Sequence, residues 1–443
     1  MLVEFRVENF RSIRESATLS MIATRLDSSD EKLGRDNVIP VKKNLSLIRS
    51  AVIYGANASG KSNVLKAFAF MKEFVQRSAN DSQADESIAA EPFLLRLDTR
   101  DQPSTFEAVF LLDGIQYRYG FSVTKKEVVA EWLYHTPTIR EAELFTRDLE
   151  SGIRVPTHSK FKEGHGLEKR TRPNALFLSV AAQFNGEIAN RIRNWFVHEW
   201  CDLVLLSDST LPVESLTEVC ITEGYYPSTI KKLLKTFDLG ITDLSVKEET
   251  LSPFLKELSN LTPIRSPKKK IYTRHVVRDN KNNPVAEEDF PLMGMESDGT
   301  QKIIGMLGPI LASLSHGVMV FADEIDARLH PLMTAAIIRL FNSPETNPKN
   351  AQLICATHDT NLLDRRLLRR DQIYFTEKEN DATRLYSLAE FKLPMRTGEG
   401  RTVRGDASYE RDYIQGRYGA IPYLGDFRSL FREETEETKQ AVS

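Results

Sequence analysis

Apolar and polar residues alternate in blocks that predict a chain of mixed strands and helices. Residues 2–10 alternate with a period of two, which is typical of a strand with one buried face. The continuous apolar run 51–54 predicts a buried strand over 50–54, and a helical pattern follows from 61 to about 77. Further strand-like runs lie at 17–23, 105–112, 116–123, 127–134, 203–206, 271–277, 318–322 and 352–357. Further helical patterns lie at 187–200, 227–238 and 302–313.

Two of these strands are expected to form a hairpin. Asp113-Gly114 separates the runs 105–112 and 116–123, and this dipeptide between β-rich runs favours a tight reversing turn. The strand near 127–134 is expected to extend the same antiparallel sheet. Together with the helical patterns, these strands place the chain in the α/β class.

Composition and charge narrow the class of protein without identifying it. The net charge of −3 gives no global attraction to nucleic acid or to an acidic membrane, so any nucleic-acid contact would need a local patch. Cys201, Cys220 and Cys355 lack metal-type spacing and suit a reducing compartment. No stretch approaches the roughly 18 apolar residues of a membrane span, and the N-terminus lacks the apolar block of a signal peptide. We expect a cytoplasmic protein without membrane contacts.

The first candidate site directly follows the apolar strand 50–54. Residues Gly55–Ser62 match a phosphate-binding loop, in which glycines let successive N–H groups turn inward toward phosphate oxygens. Lys61 is predicted to contact the β- and γ-phosphates, and Ser62 is predicted to bind Mg²⁺. A helix starting at Lys61 directs its positive dipole end at the same anion. The nucleotide contacts predicted here are Gly55, Asn57, Ser59, Gly60, Lys61, Ser62 and Asn63.

Two further strands end in side chains suited to hydrolysis of a nucleoside triphosphate. The run 318–322 is followed by Asp323 and Glu324. Asp323 is a candidate Mg²⁺ ligand through water, and Glu324 is placed to orient or deprotonate an attacking water. The run 352–357 is followed by His358, which could donate a hydrogen bond to the γ-phosphate. The alternatives are solvated acids at a strand end and a structural histidine cap.

A second phosphate-recognition element precedes the acidic strand. Residues Ser297-Asp298-Gly299-Thr300 stand at the start of the helical pattern 302–313. A Ser-x-Gly-Thr turn at a helix N-terminus can bind phosphate or can simply cap its own helix. The order of the motifs is phosphate loop, long gap, Ser/Gly helix start, acidic strand and histidine strand.

This order resembles the ABC-type ATPases, specifically the soluble branch with the chromosome-maintenance and break-repair enzymes. The resemblance covers 1–205 and 291–390, an N-lobe and a C-lobe. It implies an ABC-type P-loop head with an antiparallel β-subdomain and a mixed, largely parallel central sheet. The region 206–290 is then a mainly helical insertion, and 391–443 is a C-terminal segment.

The same resemblance implies ATP and Mg²⁺ as cofactors and assigns further residues. Ser297 and Gly299 belong to the signature, which in this family covers the γ-phosphate bound to a second subunit. Asp326 corresponds to the D-loop, and Arg11 becomes a candidate nucleotide contact. Gln183 is the candidate Q-loop glutamine and metal ligand. The signature departs from the family pattern because it lacks the usual second glycine and has Asp298 in its middle.

The short head, the lack of a heptad stretch for a coiled-coil arm and the tail 413–422 also resemble bacterial AAA family ATPases of two-gene defence operons, such as the RloA proteins and the AriA component of the PARIS anti-phage system. This resemblance implies a sensor or scaffold that controls a separate toxic effector, often a TOPRIM-type nuclease. The implied partners are further copies in ATP-sandwich dimers, which could build a larger assembly such as a hexamer, the operon-encoded effector nuclease and a phage-derived protein trigger.

Other interpretations remain open in the sequence. A DNA-structure-dependent ATPase of repair or maintenance would use basic residues at 268–270, 365–366 and 369–370. A nuclease activity of this chain is disfavoured, because the 85 residues after His358 contain no clear Glu…Asp-x-Asp pattern. The segment 391–443 is either a docking surface for another protein or a tail that packs on its own head.

Overall fold

The computed structural model describes residues 1–25, 31–79, 86–198, 200–202, 214–248, 269–393, 401–403 and 407–422. The strands, in chain order, are β1 (Leu2–Glu8), β2 (Ala17–Ser20), β3 (Val38–Lys42), β4 (Leu45–Ile48), β5 (Ser50–Gly55), β6 (Ser104–Leu112), β7 (Ile115–Val123), β8 (Val128–Thr136), β9 (Ala142–Asp148), β10 (Gly152–Arg154), β11 (Trp200–Asp202), β12 (Asp243–Glu248), β13 (Lys269–Arg278), β14 (Pro284–Pro291), β15 (Met319–Ala322), β16 (Leu353–Ala356), β17 (Ile373–Glu379), β18 (Ala382–Ser387), β19 (Lys392–Leu393) and β20 (Arg401–Thr402). The helices are α1 (Glu31–Asp36), α2 (Lys61–Arg77), α3 (Phe177–Gln183), α4 (Glu187–His198), α5 (Glu214–Thr222), α6 (Pro227–Thr236), α7 (Leu292–Met295), α8 (Asp298–His316), α9 (Pro331–Asn342) and α10 (Tyr409–Ile414).

The N-terminal part of the chain builds an antiparallel sheet. Its order is β10-β9-β8-β7-β6-β1-β2, and every neighbouring pair is antiparallel. The predicted hairpin is confirmed as β6 and β7, joined by Asp113 at φ 50° and Gly114 at φ 77°. Two consecutive left-handed residues match the turn that suits the twist of a hairpin. The predicted third strand is β8.

The central sheet is parallel except at one edge. Its order is β11-β15-β16-β5-β17-β18, and only the β17–β18 pair is antiparallel. The α/β class, with an antiparallel sheet beside a mixed and largely parallel one, is therefore confirmed. Because the parallel strands share a direction, the loops that follow β5, β15 and β16 leave the same edge of the sheet.

Helix α2 lies between the two sheets. The ring of Phe68 on α2 stacks on Phe5 of β1 with centroids 3.7 Å apart, and its centroid lies 4.6 Å from that of Phe321 on β15. Val64, Leu65 and other apolar residues of the helix are buried in the same core. Burial on both sides fixes the N-terminus of α2 at the edge of the central sheet.

A second core covers the opposite face of the central sheet. Ala51 and Ile53 of β5 face the α2 side, while Val52 and Tyr54 face helices α8 and α9. This burial on both faces explains why the sequence of β5 is continuously apolar. In the described part of the chain, no helix combines the length and apolar character needed to cross a membrane.

The expectation of a mainly helical insertion at 206–290 is wrong for its described residues. They hold α5, α6 and a three-stranded antiparallel sheet in the order β12-β13-β14. The predicted strand near 271–277 is confirmed as β13. The strands β12 and β14 gave little signal because they carry few buried apolar residues, and β14 is exposed over 284–288. The predicted strand 203–206 lies outside the described residues.

The described part of the C-terminal segment packs on its own head. Tyr409, Tyr413 and Tyr418 are buried in the second core, and the ring of Tyr413 stacks on Phe375 at 5.2 Å. For residues 407–422 the structure therefore shows the tail alternative. Sequence inspection undervalued this segment because tyrosine rings, rather than aliphatic residues, provide its buried surface.

Candidate nucleotide-binding site

Three strand ends bring the predicted motifs together. Ala322 of β15 pairs with Cys355 of β16, and Ala356 of β16 pairs with Ile53 of β5. The phosphate loop, the acidic pair and the histidine loop therefore leave adjacent strands at one edge. Each motif was predicted separately, and the sheet order places the histidine strand between the other two.

The phosphate loop needs glycine at two positions because neighbouring backbone and side chains leave no room. A Cβ on Gly60, which has φ 106°, would lie 2.0 Å from Thr383 Oγ1. A Cβ on Gly55 would lie 2.5 Å from the carbonyl oxygen of Thr376. Ala58 also adopts a positive φ of 60°. The loop is thus held in a tight shape by contacts with β17 and β18.

Hydroxyl groups form the wall behind this loop. Ser59 Oγ and Thr376 Oγ1 lie 2.6 Å apart, and Thr383 Oγ1 donates to the carbonyl of Ser59 at 2.8 Å. Ser12 Oγ lies 2.7 Å from Thr383 Oγ1 and accepts a hydrogen bond from Asn63 Nδ2 at 2.7 Å. The side chains of Ser59 and Asn63 therefore support the shape of the loop. Thr376 and Thr383 were not predicted, since they lie more than 300 residues away in the chain.

Lys61 holds a positive charge at the start of α2. Its Nζ donates to the carbonyls of Gly55 at 2.8 Å and Ala56 at 3.1 Å. Burial lowers the pKa of this ammonium group, and the carboxylates of Asp323, Glu324 and Asp326 act in the opposite direction. No side chain of the described residues caps α2, so its N-terminal dipole remains available to an anion. Asn57 at the loop tip is exposed, and Ser62 is half-buried.

The acidic pair follows β15 in an unusual backbone conformation. Asp323 is half-buried, whereas Glu324 is exposed and has φ 46°. Lys302 Nζ donates to the carbonyls of Glu324 at 2.8 Å and Ala327 at 2.9 Å. Burial lowers the pKa of Lys302, and nearby Asp326 and Glu324 oppose that shift. Sequence reasoning missed Lys302, although it lies on the helix that carries the signature turn.

The loops after β15 and β16 are tied to each other. The backbone N–H of His358 donates to Asp326 Oδ2 at 3.3 Å, and that of Ile325 donates to the carbonyl of Ala356 at 3.1 Å. Asp326 Oδ1 is buried without a hydrogen-bond partner among the described residues. The ring of His358 is exposed at the sheet edge. The backbone hydrogen bond to Asp326 thus positions His358, and its imidazole is accessible to a ligand.

The signature turn caps its own helix and remains exposed. Ser297 is the N-cap of α8 and accepts from the backbone N–H of Thr300 at 3.1 Å. The helix-cap alternative is therefore confirmed for the Ser297 side chain. A Cβ on Gly299 would lie 2.5 Å from the carbonyl of Arg328, and Arg328 pairs with Asp298 at 3.1 Å. The turn therefore packs directly on the loop of Asp326.

A family model described as "AAA domain, putative AbiEii toxin, Type IV TA system" matches residues 50–364, more than half of the chain. The chain belongs to this AAA-domain family. Its phosphate loop, acidic pair and His358 all lie within the matched residues.

Two solved structures are similar to this AAA-domain protein. One is a crystal structure of the SMC head bound to the C-winged helix domain of ScpA, with 12% identity and a TM-score of 0.41. The alignment covers 87% of this chain and 97% of that one. The SMC head domain from Thermotoga maritima shows 14% identity and a TM-score of 0.37, over 87% of this chain and 98% of that one. Comparison with curated proteins finds no match.

The side chains of this AAA domain fit a nucleotide accompanied by Mg²⁺. Gly55 and Gly60 form a close-walled loop at the edge where Lys61 lies. Ser62 and Asp323 supply hydroxyl and carboxylate oxygens, which are the donors that Mg²⁺ prefers. The described residues contain no group of three or more His, Cys, Asp or Glu side chains that could hold a metal alone.

The prediction of Gln183 as a metal ligand is wrong. Its Nε2 donates to the carbonyl of Ala79 at 3.3 Å, beyond the C-terminal end of α2. The phosphate loop lies at the opposite end of this 17-residue helix, which spans about 25 Å. The assignment failed because a Q-loop glutamine has no local sequence pattern comparable to that of the phosphate loop.

Arg11 lies beside the site but is engaged with another residue. Its Nη2 donates to Glu91 Oε1 at 3.1 Å, and its backbone N–H donates to the carbonyl of Glu91 at 2.7 Å. The next residue, Ser12, belongs to the hydroxyl wall behind the loop. A contact between Arg11 and nucleotide stays a prediction.

The candidate DNA contacts differ in accessibility. Arg369 is buried, with its Nη2 lying 2.7 Å from Asp371 Oδ2, so it is not available to a phosphate backbone. Arg370 donates to the carbonyl of Val403. Arg366 is exposed but pairs with Asp364 at 2.7 Å. Lys268 lies outside the described residues.

Proposed function

We propose that this AAA-domain protein is a cytoplasmic ATPase whose copies pair around two ATP molecules. In that assembly it acts as the sensor or scaffold that controls a separate toxic effector, a TOPRIM-type nuclease, in anti-phage defence. The observation that carries the ATPase proposal is the convergence of Lys61, Asp323, Glu324 and His358 at one edge of a parallel sheet. The family description, which names a toxin and a Type IV toxin–antitoxin system, supports the defence role.

Each residue has a distinct role in hydrolysis. Ser62 and Asp323 would hold Mg²⁺, which supplies charge neutralisation on the phosphates when it is bound. Lys61 leaves its own loop carbonyls to pair with the phosphate charge. Glu324 orients the attacking water and accepts its proton. His358 donates a hydrogen bond to the terminal phosphate and loses that contact once the phosphate departs.

Exposed groups around the signature turn support pairing with a second copy. Ser297 and Asp298 are exposed at the N-terminus of α8. Met293 and Met295, which precede the turn in the chain, are large apolar side chains with exposures of 60% and 61%. A helix N-terminus flanked by apolar side chains suits a second copy whose bound ATP presents the terminal phosphate.

The decisive experiment measures native mass in ATP and Mg²⁺. Glu324→Gln should bind ATP, hydrolyse it slowly and accumulate as a dimer or a multiple of a dimer. Lys61→Ala should remain monomeric because it loses ATP binding. Ser297→Arg, combined with Glu324→Gln, should bind ATP as a monomer. A monomeric Glu324→Gln protein at saturating ATP would contradict the pairing.

Co-purification tests the effector separately. The Glu324→Gln protein is expressed with its neighbouring genes and purified in ATP. A stoichiometric second protein with nuclease activity would support the sensor role. A dimer that instead carries nucleic acid, with affinity that falls steeply with salt, would favour a DNA-maintenance ATPase.

A further inference from the structure

The insertion sheet holds the residue that directly precedes the signature serine. Glu296 Oε1 accepts a hydrogen bond from Thr273 Oγ1 at 2.5 Å and lies 2.7 Å from His275 Nε2. The side chain of Glu296 is only 12% exposed. Its carbonyl also accepts from Gln301 Nε2 at 2.8 Å, within the first turn of α8. Two side chains of β13 therefore fix the entry into the signature helix.

A second contact joins the insertion to the middle of the same helix. Pro309 has no N–H group and leaves the carbonyl of Gly305 without its helical partner. Thr217 Oγ1 on α5 donates to that carbonyl at 2.8 Å and accepts from the N–H of Gly308 at 2.8 Å. A Cβ on Gly308 would lie 2.5 Å from the backbone nitrogen of Thr217. The insertion and the signature helix are thus interlocked at two places.

We propose that Glu296 is a positioning residue through which β13 fixes the signature turn for the ATP bound to a second copy. The proposal rests on the pairing argued under the proposed function. A phosphate-binding turn is most effective when its donors are already oriented, because no ordering is then needed on binding. The insertion thereby contributes to the site at which one copy contacts the ATP bound to the other.

Binding of ATP by each copy and pairing between copies depend on different contacts. ATP binding by each copy depends on the phosphate loop, which the hydroxyl wall of Ser12, Thr376 and Thr383 supports. Loss of the contacts of Glu296 should leave that binding intact. It should weaken only the ATP-dependent contact between copies.

The test uses the full chain with Glu324→Gln, to which Thr273→Val and His275→Phe are added together. Valine keeps the shape of threonine, and phenylalanine keeps the ring that packs near Phe290, but neither can bond to Glu296. The dissociation constant for ATP should change less than about twofold. The dissociation constant of the ATP-bound dimer, from analytical ultracentrifugation, should rise at least about tenfold, which is 1.4 kcal/mol.

The matched control is Arg274→Met on the same strand. Arg274 lies between the two test residues and pairs with Asp289 at 2.8 Å, away from Glu296. It should dimerise like the parent. Thr273→Ser and His275→Gln keep a hydrogen-bonding group and should restore most of the dimer affinity.

The outcomes distinguish the positioning role of Glu296 from the pairing between copies. If the double variant binds ATP and dimerises like its parent while Ser297→Arg abolishes the dimer, the positioning role is refuted and the pairing stands. If Ser297→Arg also leaves the dimer unchanged, the pairing through the signature fails. If the double variant loses ATP binding, the single variants Thr273→Val and His275→Phe provide the same comparison, and unchanged dimerisation in both would overturn the proposal.

Discussion

At the residue scale, the catalytic candidate Glu324 has a backbone that its surroundings must hold. A residue with a side chain at φ 46° is strained by about 1–2 kcal/mol relative to the right-handed region. The ammonium of Lys302 bonds to the carbonyl of Glu324 itself and to that of Ala327. We infer that Lys302 stabilises the turn that presents the Glu324 carboxylate to the sheet edge.

Replacement of Lys302 by methionine should therefore lower turnover more than binding. Methionine retains the apolar stem but cannot bond to the two carbonyls. Because a small displacement of a catalytic group is costly, kcat for ATP should fall on the order of tenfold to a hundredfold. KM should stay within about twofold. Steady-state ATPase kinetics give both values.

Two comparisons make this expectation specific. Lys302→Arg keeps a cation at the position and should retain more activity than Lys302→Met. Lys269→Met removes an exposed ammonium on β13 and should leave kcat unchanged. A kcat for Lys302→Met equal to that of the parent would show that the turn of Glu324 keeps its conformation without Lys302.

Residues with short, contiguous patterns were predictable, and residues that act over long chain separations were not. All the residues of the phosphate-binding motif lie within the eight residues Gly55–Ser62. The loop and Lys61 were therefore found from the sequence alone. Thr376, Thr383 and Lys302 support the site only through the folded chain. Gln183 was misassigned because a single glutamine at the end of a helix carries no such pattern.

At the element scale, the backbone hydrogen bonding of the signature helix α8 is interrupted, and another helix supplies the missing donor. Pro309 frees the carbonyl of Gly305, and the hydroxyl of Thr217 on α5 satisfies it. A buried carbonyl without a hydrogen-bond partner would be costly, so the hydrogen bond from Thr217 is needed for the helix to remain packed. The pairing explains how a proline can stand inside a buried helix.

Thr217→Val should destabilise the protein by about 2–3 kcal/mol, because it leaves buried backbone groups unsatisfied. Pro309→Ala restores an N–H group that can serve Gly305. In the double variant the two effects should couple by about 1 kcal/mol or more in the free energy of unfolding. Urea denaturation of the four proteins measures this cycle.

Thr222→Val provides the control at the exposed end of the same helix. It should change the free energy of unfolding by less than about 0.5 kcal/mol. Strict additivity of Thr217→Val and Pro309→Ala would show that the hydroxyl does not replace the missing helical bond.

Elements were predicted well where one face is buried in a large core. The strands β5 and β6 and the helix α2 gave clear apolar patterns because many of their side chains are apolar and buried. The sheet of the insertion was underestimated, since β14 is exposed over 284–288 and half-buried over 289–291 and so has no buried apolar face. Its polar strands are specified by pairing with β13 rather than by their own apolar pattern.

At the scale of the whole molecule, the C-terminal segment completes the second core. Tyr418 is fully buried, and its ring centroid lies 5.9 Å from that of Phe375 on β17. Tyr386 on β18 donates to the carbonyl of Tyr418 at 2.6 Å. The described tail is therefore part of the folded head.

Tyr418→Ala should lower the free energy of unfolding by about 3–5 kcal/mol, as expected for removal of a buried ring. Tyr225→Ala removes a ring that is 53% exposed and should cost less than about 0.5 kcal/mol. Urea denaturation compares the two. Equal free energies of unfolding for Tyr418→Ala and the parent would show that the segment does not stabilise the head.

The position of β5 in the central sheet also determines when the site can exist. Its two hydrogen-bonded neighbours, β16 and β17, are synthesised roughly 300 residues after it. At about 5–20 residues per second, the ribosome needs roughly 15–60 s to supply them. During that interval the strand before the phosphate loop lacks both of its neighbours, and Thr376 and Thr383 have not been made. Nascent or prematurely terminated chains should therefore be unable to bind ATP, and the proposed ATP-dependent pairing would be confined to full-length molecules.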